Sequence, residues 1–369
     1  MTHRLTPLAE GLPEGVPFVG PEAQERARGA PFQARLGANE SPFGPSPRAV
    51  TAMAEAAAEG WMYGDPDHAA LRHALSDHLA VPPQAIMCGE GIDGLLGYLV
   101  RLIVGPGDAV VTSLGAYPTF NYHVAGFGGT IHTVPYRDDH EDPLALAAKS
   151  RDVGAKLVYL ANPDNPMGSV IPAEAVARLV RDLPQDCLLC LDEAYGEFAP
   201  EGTVLPLDVT DDRVIRMRTF SKAHGLAGLR VGYALGGPRL IGAFNKVRNH
   251  FGLGRVAQAG ALAALQDQAW LRHVIDAVAT SRADIAQIAT ENGLHPLPSA
   301  TNFVTVDCGA DGAFARAVLA ALLDGGIFVR MPGVAPLDRC IRVSCGGADD
   351  MAALRSAIKP ALATARSQK

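Results

Sequence analysis

Short apolar runs alternate with helical segments along most of the chain. Seven runs of four to six mostly apolar residues have the length of buried strands and cover residues 85–88, 109–112, 131–134, 156–161, 187–192, 214–217 and 231–235. Segments with helical periodicity separate most of these runs, including residues 66–79, 94–104 and 173–182. Because strands buried on both faces are apolar throughout, the pattern predicts an α/β fold with a mainly parallel seven-stranded sheet sandwiched by helices.

The pattern changes on both sides of this region. Residues 1–46 are rich in proline and glycine and are predicted to form an N-terminal arm that partly joins a smaller domain. Ser46 followed by Pro47 is typical of a helix start, so a large domain is predicted over residues 47–261. Residues 262–369 are predicted to form a smaller α+β domain. A helical region is expected over residues 239–265, with further helices over 270–291, 314–323 and 349–359 and strands over 302–307, 327–330 and 340–344.

Composition limits the classes of partner. The net charge is −7, from 32 Lys+Arg against 39 Asp+Glu, without a basic tract that would favour nucleic acid or an anionic membrane. No apolar stretch has the length of a membrane span, and the first residues lack the apolar core of a signal peptide. We therefore predict a cytoplasmic protein that acts on small molecules.

Six cysteines are too sparse for a disulfide framework in a chain of 369 residues. Cys187 and Cys190 have the C-x-x-C spacing of a redox or metal site. Alternation along a strand would place their sulfurs on opposite faces, and no second pair lies nearby in the sequence. Buried structural cysteines and no metal site are expected.

Polar motifs follow three of the predicted strands. Asn165 comes after the strand at residues 156–161, Asp192 ends the strand at 187–192, and Lys222 follows the strand at 214–217. In open α/β sheets, ligands bind outside the carboxyl ends of the strands, so these side chains are placed to reach a ligand. A lysine amine kept neutral by burial can form a Schiff base with a carbonyl compound.

The motif Gly89-Glu90-Gly91-Ile92-Asp93-Gly94 follows a strand and opens a helix. Free backbone N–H groups at a helix start can hold a phosphate. The motif also fits G-x-G-x-x-G of a dinucleotide site, although no strand ending in an acidic residue follows about 20 residues later. Asp192-Glu193 resembles the acidic pair of an ATPase. The phosphate loop of an ATPase also needs a Gly-Lys pair, and the chain has none, so an ATPase is set aside. A dinucleotide-dependent oxidoreductase remains an alternative.

The order of these motifs resembles that of the class I and II aminotransferases, which are fold-type I pyridoxal-phosphate enzymes, and within them the histidinol-phosphate aminotransferase branch. The motifs that carry the resemblance are Asn165-Pro166-x-Gly168, Asp192-Glu193-Ala194-Tyr195, Ser221-Lys222 with Gly225 to Arg230, Asn39-Glu40-Ser41-Pro42 and Tyr63-x-Asp65-Pro66. The resemblance implies a transaminase that moves an amino group between an amino acid or amino alcohol phosphate and a 2-oxo acid. Histidinol phosphate with 2-oxoglutarate is one candidate pair. A decarboxylase or lyase on the same scaffold is the nearest alternative.

The resemblance also implies roles for individual residues. Lys222 would hold pyridoxal phosphate as a Schiff base and move the proton at the substrate α-carbon. Asp192 would pair with the ring nitrogen, Tyr195 and Asn165 would bind the phenolic oxygen, and Tyr117 would stack on the ring. The other implied contacts are Gly91, Ile92, Asp93, Thr219, Ser221 and Arg230 for the cofactor phosphate, Tyr63 for the cofactor of a neighbouring subunit, and Arg342, Arg330 and Asn39 for the substrate. The enzyme would then be a homodimer with shared active sites.

Three positions depart from the pattern of the histidinol-phosphate branch. Pro17-Phe18 stands where this branch tends to have Pro-Tyr, whose hydroxyl touches the substrate phosphate. This loss weakens the case for a phosphorylated substrate. Met167 replaces a threonine and Gly94 replaces an acidic residue, and neither change removes a catalytic group.

Overall fold

The structure is a computed structural model that describes residues 4–14 and 19–367. Its strands are β1 (Ala34–Arg35), β2 (Ile86–Gly89), β3 (Ala109–Ser113), β4 (Thr130–Val134), β5 (Leu157–Ala161), β6 (Leu188–Asp192), β7 (Val214–Thr219), β8 (Gly232–Leu235), β9 (His295–Pro296), β10 (Phe303–Asp307), β11 (Ile327–Phe328) and β12 (Cys340–Ser344). Its helices are α1 (Pro7–Glu10), α2 (Pro21–Arg28), α3 (Pro47–Ala57), α4 (Ala69–Leu79), α5 (Gly91–Ile103), α6 (Pro118–Gly126), α7 (Pro143–Val153), α8 (Ala173–Asp182), α9 (Pro238–Ala243), α10 (Arg255–Gln266), α11 (Gln268–Glu291), α12 (Gly312–Asp324) and α13 (Ala348–Ser367).

The central sheet has seven strands in the order β2-β8-β7-β6-β5-β3-β4. Strand β8 is antiparallel to both of its neighbours, and the other neighbouring strands are parallel. Successive residues of β6 pack on opposite faces, Cys190 with α5 and Leu189 with α7 and α8. The predicted α/β fold, with a mainly parallel sheet covered on both sides, is confirmed.

Several helix boundaries differ from the prediction. Helix α5 begins at Gly91 rather than at residue 94, and α13 continues to Ser367 rather than ending at residue 359. Helix α4 begins at Ala69 rather than at residue 66, because the Asp65 carboxylate accepts the N–H groups of Asp67 and Ala69 and closes a turn first. The helical region expected over residues 239–265 is broken between Lys246 and Arg255. Gly252 lies within this break and packs against the Glu90 side chain so closely that a Cβ atom there would overlap it.

The C-terminal part is built on a three-stranded antiparallel sheet, β12-β10-β9, packed against α11, α12 and α13. The N-terminal arm reaches it through β1, which pairs in parallel with β11. The division predicted at residue 261 falls inside α10, whose Ala264 and Leu265 pack with α3 and α4. We therefore propose the division at Asp267, between α10 and α11.

Strands β3 and β5 separate towards their carboxyl ends. Their register covers two residue pairs, ending at Val111 opposite Val158, whereas β5 and β6 stay paired as far as Ala161 opposite Asp192. The connection that leaves β3 leads to β4, and the connection that leaves β5 leads to β6, in the opposite direction along the sheet. The gap between β3 and β5 is therefore the topological switch point, where α/β folds bind ligands.

All six cysteines are buried free thiols. Cys187 and Cys190 pack into clusters on opposite faces of the central sheet, as predicted. Among the described residues, no helix combines the length and apolarity needed to cross a bilayer.

Candidate active site

A cavity of about 760 Å³ opens at the carboxyl ends of β3, β5, β6 and β7. It brings together most of the predicted site residues: Asn39, Ile92, Asp93, Tyr117, Asn165, Asp192, Tyr195, Thr219, Ser221, Lys222, Arg230, Arg330 and Arg342. Gly91 lies against the Arg230 side chain at the same end. The side chains that were predicted to meet at the carboxyl ends of the strands thus lie around one cavity.

Lys222 follows β7 and reaches into the cavity. Its Nζ atom donates a hydrogen bond to the Asn39 carbonyl oxygen at 3.0 Å and lies 5.7 Å from the centre of the Tyr195 ring. Burial, with smaller effects from the Arg342 and Arg230 charges, lowers the pKa of Lys222 to about 8. At pH 7 about a tenth of the Lys222 amine is therefore uncharged, far more than for an ordinary lysine, and this fraction is able to act as a nucleophile or base.

Asp192 is the last residue of β6 and is buried at the floor of the cavity. It accepts hydrogen bonds from the Tyr159 hydroxyl at 2.7 Å and from the Ala194 N–H at 2.9 Å. Burial raises its pKa to about 6, even though both hydrogen bonds favour the carboxylate. Both of these partners are neutral. An ionised carboxylate in this position suits a cationic ring nitrogen placed in the cavity.

Hydrogen-bond donors converge where α5 begins. Gly91 has φ +72°, and a Cβ atom there would lie 2.4 Å from Nη2 of Arg230. Arg230 donates to the Ser221 hydroxyl at 3.2 Å, and Thr219 donates to the same hydroxyl at 2.9 Å. A guanidinium, two hydroxyls and a free helix start in one corner fit a phosphate group.

The Asp93 side chain is directed to a different contact. Its carboxylate pairs with Nε2 of His123 on α6 at 2.8 Å, and this hydrogen bond lowers the pKa of Asp93. The backbone of residues 91–93, rather than this side chain, is thus the part suited to an anion.

Asn39 connects the arm to the site. It is 2% exposed and has φ 54°, and its side chain donates to the Tyr195 hydroxyl at 3.0 Å. Its Oδ1 atom accepts a hydrogen bond from Ser344 of β12 at 2.9 Å. Asn39 was predicted to contact substrate, and the structure shows it in direct contact with Lys222 and Tyr195.

Two arginines of the small domain line the other side of the cavity. Arg342 donates to Oδ1 of Asn165 and, at 3.2 Å, to the Gly37 carbonyl oxygen. Arg330 donates to the Val19 carbonyl oxygen at 2.7 Å, and its backbone pairs with that of Arg342. Burial lowers the pKa of both guanidiniums, but both groups remain charged at neutral pH. Two further guanidinium groups therefore line the same cavity as Arg230.

The chain is similar in sequence to a family of known enzymes. Residues 33–358 match the family described as aminotransferase class I and II. The chain belongs to this family. It is an aminotransferase, as predicted, and enzymes of this family use pyridoxal phosphate.

Individual relatives are similar over nearly the whole chain. This aminotransferase is 36% identical to a histidinol-phosphate aminotransferase from Roseiflexus castenholzii, covering 97% of this chain and 98% of the relative. It is 38% identical to one from Erythrobacter litoralis, covering 88% and 90%. A crystal structure of histidinol-phosphate aminotransferase from Sinorhizobium meliloti in complex with pyridoxal-5'-phosphate matches with a TM-score of 0.96 and 52% identity, covering 100% of this chain and 99% of that one.

These findings set aside the oxidoreductase alternative. Gly89 of the glycine-rich motif ends β2, an edge strand whose one neighbour, β8, is antiparallel. A dinucleotide site is built instead on a central strand of a parallel sheet. In this aminotransferase Gly91 of the motif opens α5 and lies against Arg230.

Tyr63 is the one predicted site residue that lies away from the cavity. Its side chain is 78% exposed, and its ring packs on Phe251 with 4.7 Å between ring centres. Pro17 and Phe18, where the sequence departs from the histidinol-phosphate branch, lie outside the described residues.

Sequence reasoning missed three residues that support the site: Tyr159, Ser344 and Glu141. Tyr159 lies within an apolar run and carried no polar signal. Ser344 could have been found, because it lies two residues after Arg342 on the same strand and therefore on the same face. Glu141 bonds to Ser113 and Ala161 below the cavity.

Proposed function

We propose that this aminotransferase moves the amino group of histidinol phosphate, or of a closely similar amino alcohol phosphate, to a 2-oxo acid such as 2-oxoglutarate. The observation that carries the proposal is that cationic side chains gather in two parts of one cavity. The first, at Arg230 and the start of α5, suits a cofactor phosphate, and the second, at Arg330 and Arg342, suits an anionic substrate group. The similarity to named histidinol-phosphate aminotransferases supports the phosphorylated donor.

The cavity residues fit pyridoxal phosphate. In our proposal Arg230, Ser221, Thr219 and the N–H groups of residues 91–93 bind its phosphate. The close approach of Gly91 to Arg230 supports this assignment, because a side chain at position 91 would occupy the phosphate corner. The bound cofactor supplies a carbonyl that combines with amines and a ring that accepts the electron pair left on the substrate α-carbon.

The remaining cavity residues would orient the ring. Asp192, ionised above its pKa of about 6, would keep a proton on the ring nitrogen. Tyr195 and Asn165 would bind the ring oxygen, and Tyr117 would cover one face of the ring. This arrangement would hold the ring so that the substrate α-carbon faces Lys222.

Lys222 would act as the base and acid of the reaction. Its amine would be freed when the substrate amine takes its place on the cofactor. With a pKa of about 8, it would then take the proton from the substrate α-carbon and return it on the cofactor side. Arg342 and Arg330 would bind the phosphate of the donor and the carboxylate of the 2-oxo acid in turn, and Asn39 would line the substrate path.

We also propose a homodimer in which Tyr63 contacts the cofactor phosphate of the neighbouring subunit. The exposed rings of Tyr63 and Phe251, together with Trp61 at 83% exposure, support a buried role in an assembly. Mixing inactive Lys222→Ala and Tyr63→Ala chains tests this: hybrid dimers would contain one intact site and regain activity, and no regain after subunit exchange would contradict a shared site. The cytoplasmic location remains a prediction.

The substrate is tested with purified protein, pyridoxal phosphate and 2-oxoglutarate, by following glutamate formation. Histidinol phosphate should be turned over, whereas histidinol should react poorly because it lacks the phosphate that the two guanidiniums would bind. Turnover of aromatic amino acids alone would refute the phosphorylated donor. Release of carbon dioxide without loss of the 2-oxo acid would favour the decarboxylase alternative.

The assignment of Lys222 has a direct chemical test. Borohydride treatment of the loaded protein should attach the cofactor to the peptide that contains Lys222. Lys222→Ala should remove this adduct, and Lys246→Ala, which changes a lysine outside the cavity lining, should keep it. An adduct that persists in Lys222→Ala would overturn the assignment.

A further inference from the structure

Glu141 bridges the gap between β3 and β5 beneath the cavity. Its Oε2 atom accepts a hydrogen bond from the Ser113 hydroxyl at 2.6 Å, and its Oε1 atom accepts one from the Ala161 N–H at 2.9 Å. Ser113 ends β3 and Ala161 ends β5. The Glu141 carboxyl thus occupies the place where the two strands have stopped bonding to each other.

The Ala161 N–H shows why a bridge is needed there. The next N–H along the chain, that of Asn162, bonds to the Asp192 carbonyl oxygen on the β6 side, so the Ala161 N–H points towards β3. Both Ala161 and Ser113 are buried, and a buried N–H without an acceptor is costly. Glu141 supplies the acceptor that β3 does not provide.

The loop that carries Glu141 is itself held firmly. The following residue, Asp142, caps α7 by accepting the N–H groups of Leu144 and Ala145 and pairs with Arg137 at 2.5 Å. Asp139 of the same loop pairs with Arg339 of the small domain at 2.7 Å. Glu141 is therefore directed into the sheet from a fixed backbone.

The same loop also supports the segment that carries Asn165. Tyr136 donates a hydrogen bond to Oδ1 of Asp164 at 2.9 Å, and Oδ2 of Asp164 accepts the Met167 N–H at 3.0 Å. Both sides of the gap line the cavity, with Tyr117 on the β3 side and Asn165 on the β5 side. The position of Glu141 therefore sets the distance between residues assigned to opposite parts of the cofactor ring.

We propose that Glu141 is a positioning residue for amino transfer: by joining Ser113 to Ala161, it fixes the width of the gap in which the cofactor ring lies. The inference rests on the cofactor site proposed above. Glu141 is not among the residues that line the cavity, so it acts through its two partners and not on the substrate.

The surroundings of Glu141 favour its neutral form. Burial, followed by the nearby Asp164 carboxyl, raises the pKa of Glu141 well above its usual range. The other titratable groups that face this pair are Asp192 of β6, Tyr159 of β5, and Tyr136 and His140 of the supporting loop. A carboxamide can replace a neutral carboxyl in this bridge. Its oxygen can accept the Ala161 N–H, and its NH2 group can donate to the Ser113 hydroxyl, which then accepts instead of donating.

Three variants test the bridge, with the dissociation constant of pyridoxal phosphate for the apoenzyme as the main readout. Glu141→Leu keeps a similar volume but has no hydrogen-bonding group, and we expect at least tenfold weaker cofactor binding and at least tenfold lower kcat. Glu141→Gln should stay within about threefold of wild type for both, since it preserves one hydrogen bond at each end. Ser113→Ala removes one end of the bridge and should fall between the two. Glu201→Leu, a change at an exposed glutamate, is the control.

Each outcome bears on the proposal. A lower melting temperature in Glu141→Leu with unchanged cofactor affinity and kcat would show a purely structural role and refute it. If Glu141→Gln is as impaired as Glu141→Leu, a negative charge and not the bridge is required. This result would also refute the proposal. If Glu141→Leu does not fold, Ser113→Ala decides, and unchanged affinity and kcat in that variant refute the bridge. Failure of the wild-type protein to bind pyridoxal phosphate would instead refute the proposed function.

Discussion

Replacing Gly91 with alanine should weaken cofactor binding without unfolding the protein. The backbone at Gly91 has φ +72°, and the added Cβ atom would lie 2.4 Å from Nη2 of Arg230. The left-handed conformation costs alanine about 1–2 kcal/mol relative to glycine. The overlap adds little to this cost, because the Arg230 side chain can swing away.

The displaced Arg230 carries the functional effect. To reach ordinary contact distance its guanidinium must move by about 1 Å, away from the Ser221 hydroxyl and from the phosphate corner. A hydrogen bond to a charged group contributes about 1.5–3 kcal/mol. We therefore expect the dissociation constant of pyridoxal phosphate to rise about 10- to 150-fold.

Gly154→Ala provides the matched control. Gly154 has φ +62° at the end of α7, and no atom lies within 4 Å of a Cβ built there. Both variants should show similar decreases in apoenzyme melting temperature, while absorbance titration should find weaker cofactor binding in Gly91→Ala alone. Equal cofactor affinity in the two variants would refute the phosphate corner.

Three further predictions follow from the charged groups of the site. The pKa of Lys222 is about 8 in the folded protein and 10.5 in the unfolded chain, so between these pH values the unfolded chain binds more protons than the folded protein. The free energy of unfolding of the apoenzyme should therefore rise by up to about 3 kcal/mol as the pH rises from 8 to 10.5. Lys222→Met should lose this gain in urea unfolding, and a gain that persists would contradict the lowered pKa. Asp192→Asn removes the negative charge, but its amide oxygen can still accept the hydrogen bond of the Tyr159 hydroxyl, so the protein should fold. Its kcat should fall about 10²- to 10⁴-fold. A fall of less than tenfold would exclude the role of Asp192 at the ring nitrogen. Arg342→Lys replaces the forked guanidinium with a single ammonium group and should raise KM for both substrates about tenfold or more. Arg316→Lys, a change on the surface, should leave both KM values unchanged. Unchanged KM values in Arg342→Lys would place the second anion site elsewhere.

Much of the fold could be predicted from sequence because it depends on local patterns. Buried parallel strands are apolar throughout, and ligands gather at their carboxyl ends, so Lys222, Asp192 and Asn165 were expected to meet. The errors arose where a distant or polar contact overrides the local pattern. The late start of α4 depends on the Asp65 turn, and the break before α10 depends on how Gly252 packs against Glu90.

The supporting residues of the site were harder to predict for the same reason. Tyr159 looks like any large apolar residue in a strand, and its hydroxyl matters because β6 places Asp192 next to it. Glu141 lies in a charged loop whose composition is typical of an exposed turn. Its burial depends on the separation of β3 and β5, which the strand patterns do not reveal.

The partner of the Lys222 amine has a consequence for the loading of the cofactor. The amine is held by the peptide carbonyl of Asn39, not by a carboxylate. A neutral oxygen favours the ammonium ion less than an anion does, so releasing the amine costs less than breaking a buried ion pair. Asn39 also bonds to Ser344 and accepts from Asn302, both in the small domain. A movement of the small domain would therefore shift the oxygen that holds the free amine, so that capture of the cofactor carbonyl by Lys222 depends on where the small domain lies.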